Sequence, residues 1–169
     1  MRLPSTLLII ASLTFTTGSA LGQSLSAADE AYARGDYAAA AENLRPIAEE
    51  GLSSGQYKLG FLYDSGQGVP QSYVEAAKWY RRAAEQGDAA AQALLGIQYY
   101  KDEGVRQDRV MAYILASLAA AQGVEQAREL RDLILEDFSR EQVTEAQRLT
   151  SEWQVGTPLP TSSDTKTWP

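Results

Sequence analysis

Cysteine and histidine are both missing from the 169-residue chain. Without cysteine there is no disulfide framework, thiol nucleophile, zinc finger or haem-attachment motif. Without histidine there is no Ser-His-Asp triad and no imidazole base. Basic residues are scarce as well: 15 Lys and Arg against 22 Asp and Glu leave a net charge of −7, with no basic cluster. Phosphate binding needs concentrated positive charge, so no nucleic-acid partner is expected. No apolar run approaches the ~20 residues of a spanning helix, so no membrane span is expected. What remains, 44% hydrophobic and 22% charged, is an ordinary globular composition, and the length suits one domain with a continuous core.

The first 22 residues read as an export signal. Arg2 supplies the positive start, Leu7 to Phe15 the short apolar stretch, and Gly18-Ser19-Ala20-Leu21-Gly22 the small-residue cleavage zone. Cleavage after Gly22 or after Ala20 satisfies the small-side-chain rule. Removing residues 1–22 takes away Arg2 and leaves 14 − 22 = −8 on the mature chain. A lipoprotein is excluded, because there is no cysteine to lipidate. The expected address is exported: periplasmic or secreted, in a bacterium.

Laid against itself with a shift of 36, residues 52–87 match 88–123 at 13 of 36 positions, against roughly two expected from average usage. Leu59-Gly60 falls on Leu95-Gly96, Tyr63 on Tyr99, Gly68-Val69 on Gly104-Val105 and Gln86-Gly87 on Gln122-Gly123. The same shift carries Tyr37, Ala40, Ala41, Arg45, Ala48, Glu49 and Gly51 onto Tyr73, Ala76, Ala77, Arg81, Ala84, Glu85 and Gly87. Within each copy the spacing is helical. Ala40, Ala41, Leu44, Ile47 and Ala48 form one apolar stripe; Ala76, Ala77, Tyr80, Ala83 and Ala84 form the next; Ala112, Tyr113, Ala116, Ala119 and Ala120 form a third. A second, shorter pattern through Leu59-Gly60 and Tyr63, or Leu95-Gly96 and Tyr99, precedes the stripe, so each unit is a helix pair.

Asp36, Ser72 and Asp108 stand 36 apart as N-caps of the second helix, and Gly51, Gly87 and Gly123 close it. Gly60 and Gly96 sit inside a helix, where glycine costs about 1 kcal/mol against alanine. Close approach of the neighbouring alanine-rich helix is the expected compensation.

Gln56-Tyr57-Lys58-Leu59-Gly60-Phe61-Leu62-Tyr63, Gly66-Gln67-Gly68-Val69 and the run from Ala76 to Gly87 together resemble the Sel1-like repeat family, a relative of the tetratricopeptide repeat. Residues 52–87 make a near-complete unit and 88–123 a second, in which Asp102 replaces Gly66 and Leu115-Ala116 replace Trp79-Tyr80. Residues 24–51 read as a leading unit with a shortened loop at Arg34-Gly35-Asp36-Tyr37. Residues 124–154 read as a closing helix pair with a capping box at Ser139-Arg140-Glu141-Gln142. The resemblance implies an all-α solenoid of antiparallel helix pairs that binds other proteins. Such units cannot bury their apolar faces alone and must stack. From residue 155 the Gly, Pro, Ser and Thr content predicts a tail without packed structure.

No catalytic, cofactor or metal site emerges. Glu49-Glu50, Asp102-Glu103 and Glu136-Asp137 lack any ligand or two-carboxylate motif and read as solvated surface. Tyr63, Trp79, Tyr80, Tyr99, Tyr100 and Tyr113 fall on repeat or core positions and read as packing. Trp168, in the tail, is either a partner anchor or an unstructured terminal residue. The inner face of such a solenoid is lined by the first helix of each pair, whose outward positions by spacing are Lys58, Leu62, Leu94, Gln98, Leu130 and Ile134. Leu62, Leu94 and Ile134 are expected either to form a hydrophobic strip for a peptide or helix, or to be buried between units.

The resulting expectation is a non-enzymatic protein–protein interaction module, without cofactor, whose partner is a protein or peptide segment. The rival is a cell-wall or β-lactam-related hydrolase or ligand binder. Some cysteine-rich secreted relatives have been linked to β-lactams, but this chain has neither those cysteines nor a Ser-x-x-Lys motif. An exported virulence or envelope-assembly factor differs from the first reading in biology rather than chemistry.

Overall fold

Each alanine stripe becomes the buried face of a helix. The computed structural model describes residues 14–161 and 163–165, with side chains from residue 22. Those residues form eight helices and no strand: α1 (Thr14–Ala33), α2 (Tyr37–Glu49), α3 (Ser53–Ser65), α4 (Tyr73–Glu85), α5 (Ala89–Lys101), α6 (Arg109–Ala121), α7 (Glu125–Glu136) and α8 (Arg140–Glu152). From α1 to α7 each helix packs on its neighbours in sequence, while α8 packs back on α6, giving the stacked helices of an all-α solenoid. All fifteen residues of the three stripes are buried. Residues 1–13 of the expected leader, and Trp168, lie outside the described residues. α1 begins at Thr14, upstream of residue 24, and is anchored by buried Ala28 and Ala31.

The caps fall where the spacing puts them. Asp36, Ser72 and Asp108 accept from the backbone N–H groups of Ala39, Glu75 and Met111, each worth about 1 kcal/mol to its helix. Ser139 and Gln142 close both halves of the capping box. Asp102, in the place of Gly66, takes the same left-handed conformation, with φ 65° against 68°. Gly60 meets the Tyr80 ring and Trp79 Cβ of α4, while Gly96 meets Leu115 and the α6 backbone. The neighbouring helix does press on both glycines, though at Gly60 through an aromatic ring rather than alanine.

A buried polar ladder ties the units together and repeats with the same period. Gln56 donates to the Ala48 carbonyl at 3.1 Å and accepts from Gln86 at 2.7 Å; Gln92 donates to the Ala84 carbonyl at 3.1 Å and accepts from Gln122 at 2.9 Å. Gln56 and Gln92 are buried, and each both donates and accepts, the condition under which a core amide is tolerated.

The tail departs from expectation. Beyond α8, Gly156 donates its N–H to the Glu85 carbonyl at 2.7 Å, and Leu159 donates to Glu85 Oε1 at 3.1 Å. The Leu159 side chain is 2% exposed within the main core, and Thr165 Oγ1 donates to Asp108 Oδ2 at 2.6 Å. Residues 156–161 and 163–165 thus run from the C-terminal end of α4 to the N-terminal end of α6. One leucine and two carboxylates already used by the repeat hold a segment whose composition alone has no packing signal.

Candidate functional site

Because α1, α3 and α5 pack on second helices rather than on one another, gaps open between them. The gap flanked by α1 and α3 is a cavity of about 210 Å³, lined by Ala28, Tyr32, Leu44, Tyr57 and Phe61, with Asp29 and Lys58 ion-paired beside them. The gap flanked by α3 and α5 is a cavity of about 340 Å³, lined by Asp64, Ser65, Tyr73, Leu94, Ile97, Gln98, Lys101 and Glu103. A shift of 36 maps Ala28, Asp29, Lys58 and Phe61 onto Asp64, Ser65, Leu94 and Ile97. The two cavities are the same place in successive units, with different chemistry.

In the second cavity Asp64 is half-buried and accepts from the Tyr80 hydroxyl at 3.3 Å. Its pKa lies above the ordinary carboxylate value: burial raises it most and Glu103 adds to the rise, against the lowering effects of Tyr80, Gln98 and Lys101. Tyr80, wholly buried, is pushed upward in turn by burial and by Asp64. Gln98 stands near enough to Asp64 to favour its charged form, yet it is 2% exposed and neither its Oε1 nor its Nε2 makes a hydrogen bond of normal geometry. An unpartnered buried amide costs about 1–3 kcal/mol. The corresponding residues of the flanking units, Leu62 and Ile134, are 0% and 1% exposed and carry no polar atom to satisfy.

The expected groove positions therefore divide. Leu62, Gln98 and Ile134 are buried between units, so the hydrophobic strip is corrected at Leu62 and Ile134: stacking covers them. Lys58, Leu94 and Leu130 are half-buried, with Lys58 beside the first cavity and Leu94 beside the second. Spacing reasoning missed Asp64, Tyr32 and Phe61. The signal available for Asp64 was its place one repeat after Ala28. Of the acidic pairs, Glu103 borders the second cavity. Among the described residues no three His, Cys, Asp or Glu side chains gather as a metal site, and no helix is long and apolar enough to cross a membrane.

The family model described as Sel1 repeat matches residues 53–88 and 89–124, in step with the observed period. A solved Sel1 repeat protein from Oxalobacter formigenes is 33% identical, with a TM-score of 0.61 over 73% of this chain and 98% of that one. The chain belongs to the Sel1 repeat family. A protective antigen of uropathogenic Escherichia coli displaying an SLR fold is 29% identical, with a TM-score of 0.73; 82% of this Sel1 repeat chain aligns, spanning 31% of that protein. No curated protein matches the sequence. Sel1 repeats mediate protein–protein interaction, and proteins built from them are generally non-enzymatic scaffolds. The face lined by α1, α3 and α5 is the candidate surface for that role in this Sel1 repeat chain.

Proposed function

We propose that this Sel1 repeat chain is an exported, non-enzymatic adaptor whose first-helix face receives a segment of another protein. The observation that supports this most is the pair of cavities flanking α3, equivalent under the repeat and offering different surroundings to successive side chains of one ligand. The first has Tyr32, Tyr57 and Phe61 around an alanine floor, a setting for an apolar or aromatic anchor. Tyr32 is among the few exposed large hydrophobic side chains. Export, to the periplasm or beyond it in a bacterium, rests on the leader pattern of residues 1–22.

Selection of peptides from a display library on the immobilised chain tests the binding half. Selected peptides are expected to lose at least about tenfold in affinity to the Tyr32→Ala and Lys58→Glu variants, with helix content unchanged by circular dichroism. Peptides that bind both variants as well as the parent would place recognition elsewhere. For the export half, residues 1–22 are fused to a reporter active only outside the cytoplasm. An active reporter whose N-terminus shows cleavage after Ala20 or Gly22 is the expected result, and an inactive, uncleaved fusion refutes it.

A further inference from the structure

We infer that the cavity flanked by α3 and α5 is a subsite for the guanidinium group of an arginine in the bound protein segment, held by Asp64 and Gln98. This deepens the proposed peptide-binding function and rests on it. Three independent features converge.

The first is the misfit of Gln98 with its own repeat. The residues 36 before and after it are Leu62 and Ile134, both buried and both apolar. Stacking of the units therefore asks for an aliphatic side chain at this position. Glutamine occurs there in one unit, borders the cavity, is 2% exposed, and makes no hydrogen bond of normal geometry with either polar atom. The buried glutamines of the ladder, Gln56 and Gln92, show by contrast how this fold engages an amide that serves only the core. A buried amide without a well-formed hydrogen bond, on the border of a cavity, is open to a hydrogen-bonding group that enters it.

The second feature is the charge beside it. Asp64 replaces Ala28 of the preceding unit, so a carboxylate was gained at the position facing Gln98. One Asp64 oxygen accepts from Tyr80, which fixes the carboxyl group, and Gln98 stands close enough to favour its charged form. Lys101 and Glu103 lie at the same cavity with opposite charges, so Asp64 sets the sign of the site.

The third is shape. Leu94 and Ile97 take the places of Lys58 and Phe61, which sets two aliphatic side chains among the charged and polar ones and replaces a ring by a smaller group, and the cavity is the larger of the pair, about 340 Å³ against 210 Å³. Apolar walls suit the three-methylene stem of arginine, and a carboxylate with an adjacent amide oxygen suits its planar fork of donors. Lysine presents a compact ammonium without that fork and fits less well.

The test uses the full chain and three capped tripeptides, acetyl-Gly-Arg-Gly-amide and its lysine and citrulline counterparts, followed by nitrogen-15 NMR. The Gln98 side-chain amide is assigned by its loss in Gln98→Leu. Saturable shifts of that signal with the arginine peptide are expected, at least tenfold weaker with citrulline, which keeps the shape and loses the charge. Asp64→Asn is expected to lose at least tenfold in affinity. Gln98→Leu is expected to lose the backbone shifts around Asp64 while melting at the same temperature or higher. The inference is overturned by absence of a saturable arginine response, by an equal response to citrulline, by a response retained in both variants, or by a lowered melting temperature of Gln98→Leu, which would make the amide a structural one. None of these outcomes touches the Tyr32 and Lys58 variants, so the broader binding function stands or falls separately.

Discussion

The cavity flanked by α1 and α3 and the one flanked by α3 and α5 occupy equivalent places in successive units, yet one has an alanine floor under an ion pair and the other an aspartate near a buried amide that lacks a well-formed hydrogen bond. Around them nearly everything repeats. The caps, the Gln56 and Gln92 bridges, and the bonds from Arg45 to the Tyr63 hydroxyl and from Arg81 to the Tyr99 hydroxyl recur at 36. Positions that fasten one unit to the next are duplicated, because each must solve the same stacking problem. Ala28 against Asp64 and Leu62 against Gln98 are where the duplication ends: Asp64 gives the buried Tyr80 hydroxyl an acceptor, whereas Gln98 puts a polar amide where stacking elsewhere takes an aliphatic side chain.

Five substitutions break or sharpen this comparison. The largest effect belongs to the shared framework. A Cβ on Gly68 would lie 2.2 Å from the Tyr37 carbonyl, and one on Gly104 the same distance from that of Tyr73, with φ at +72° and +71°. Gly68→Ala and Gly104→Ala are each expected to cost about 3 kcal/mol or more in urea unfolding, and to similar extents. A large inequality would show that the two units are not fastened alike.

Next comes the tail. Leu159→Ala is expected to cost about 2–3 kcal/mol and to speed amide exchange in α4 and α6 while leaving α1 and α2 as they were. The segment it anchors reaches Glu85 and Asp108, which border α4 and α6.

Leu62→Gln transplants the amide into the preceding unit. A cost of about 2 kcal/mol is expected, with no arginine response gained, because Ala28 rather than a carboxylate faces that place. Melting with and without the arginine tripeptide reads both.

The smallest effect is electrostatic. Asp64 has a folded-state pKa above its ordinary value of 3.8, so ionisation opposes folding at neutral pH, and that opposition fades as pH falls through the folded pKa toward 3.8. Asp64→Asn is expected to stabilise the chain at pH 7, by less than about 0.5 kcal/mol because solvent screens a half-exposed group. The gain shrinks below the folded pKa. Thermal melts at a series of pH values check the sign.

Much of the fold was legible in the sequence. Alanines at helical spacing with a cap every 36 residues permit one arrangement, since a helix with a single apolar stripe must bury it and its neighbour carries the same stripe. The face was legible too, through Lys58 and Leu94. Its depth was not: Leu62 and Ile134 point outward by helical spacing, but the adjoining unit covers them. Asp64 passed unnoticed because carboxylates on helices are ordinarily solvated, and nothing local marks the one beside a gap.

By itself the sequence determined the period, the helix pairs and their ends, because caps, left-handed glycines and apolar stripes act within a turn or two of the residues that carry them. The tertiary structure alone decided three things: which first-helix side chains stay open, that the Gln98 amide is buried without a hydrogen bond of normal geometry, and that residues 156–161 and 163–165 bind back along α4 and α6. Each depends on how closely one unit stacks on the next, and on contacts such as Leu159 to Glu85, 74 residues apart, which no local pattern encodes.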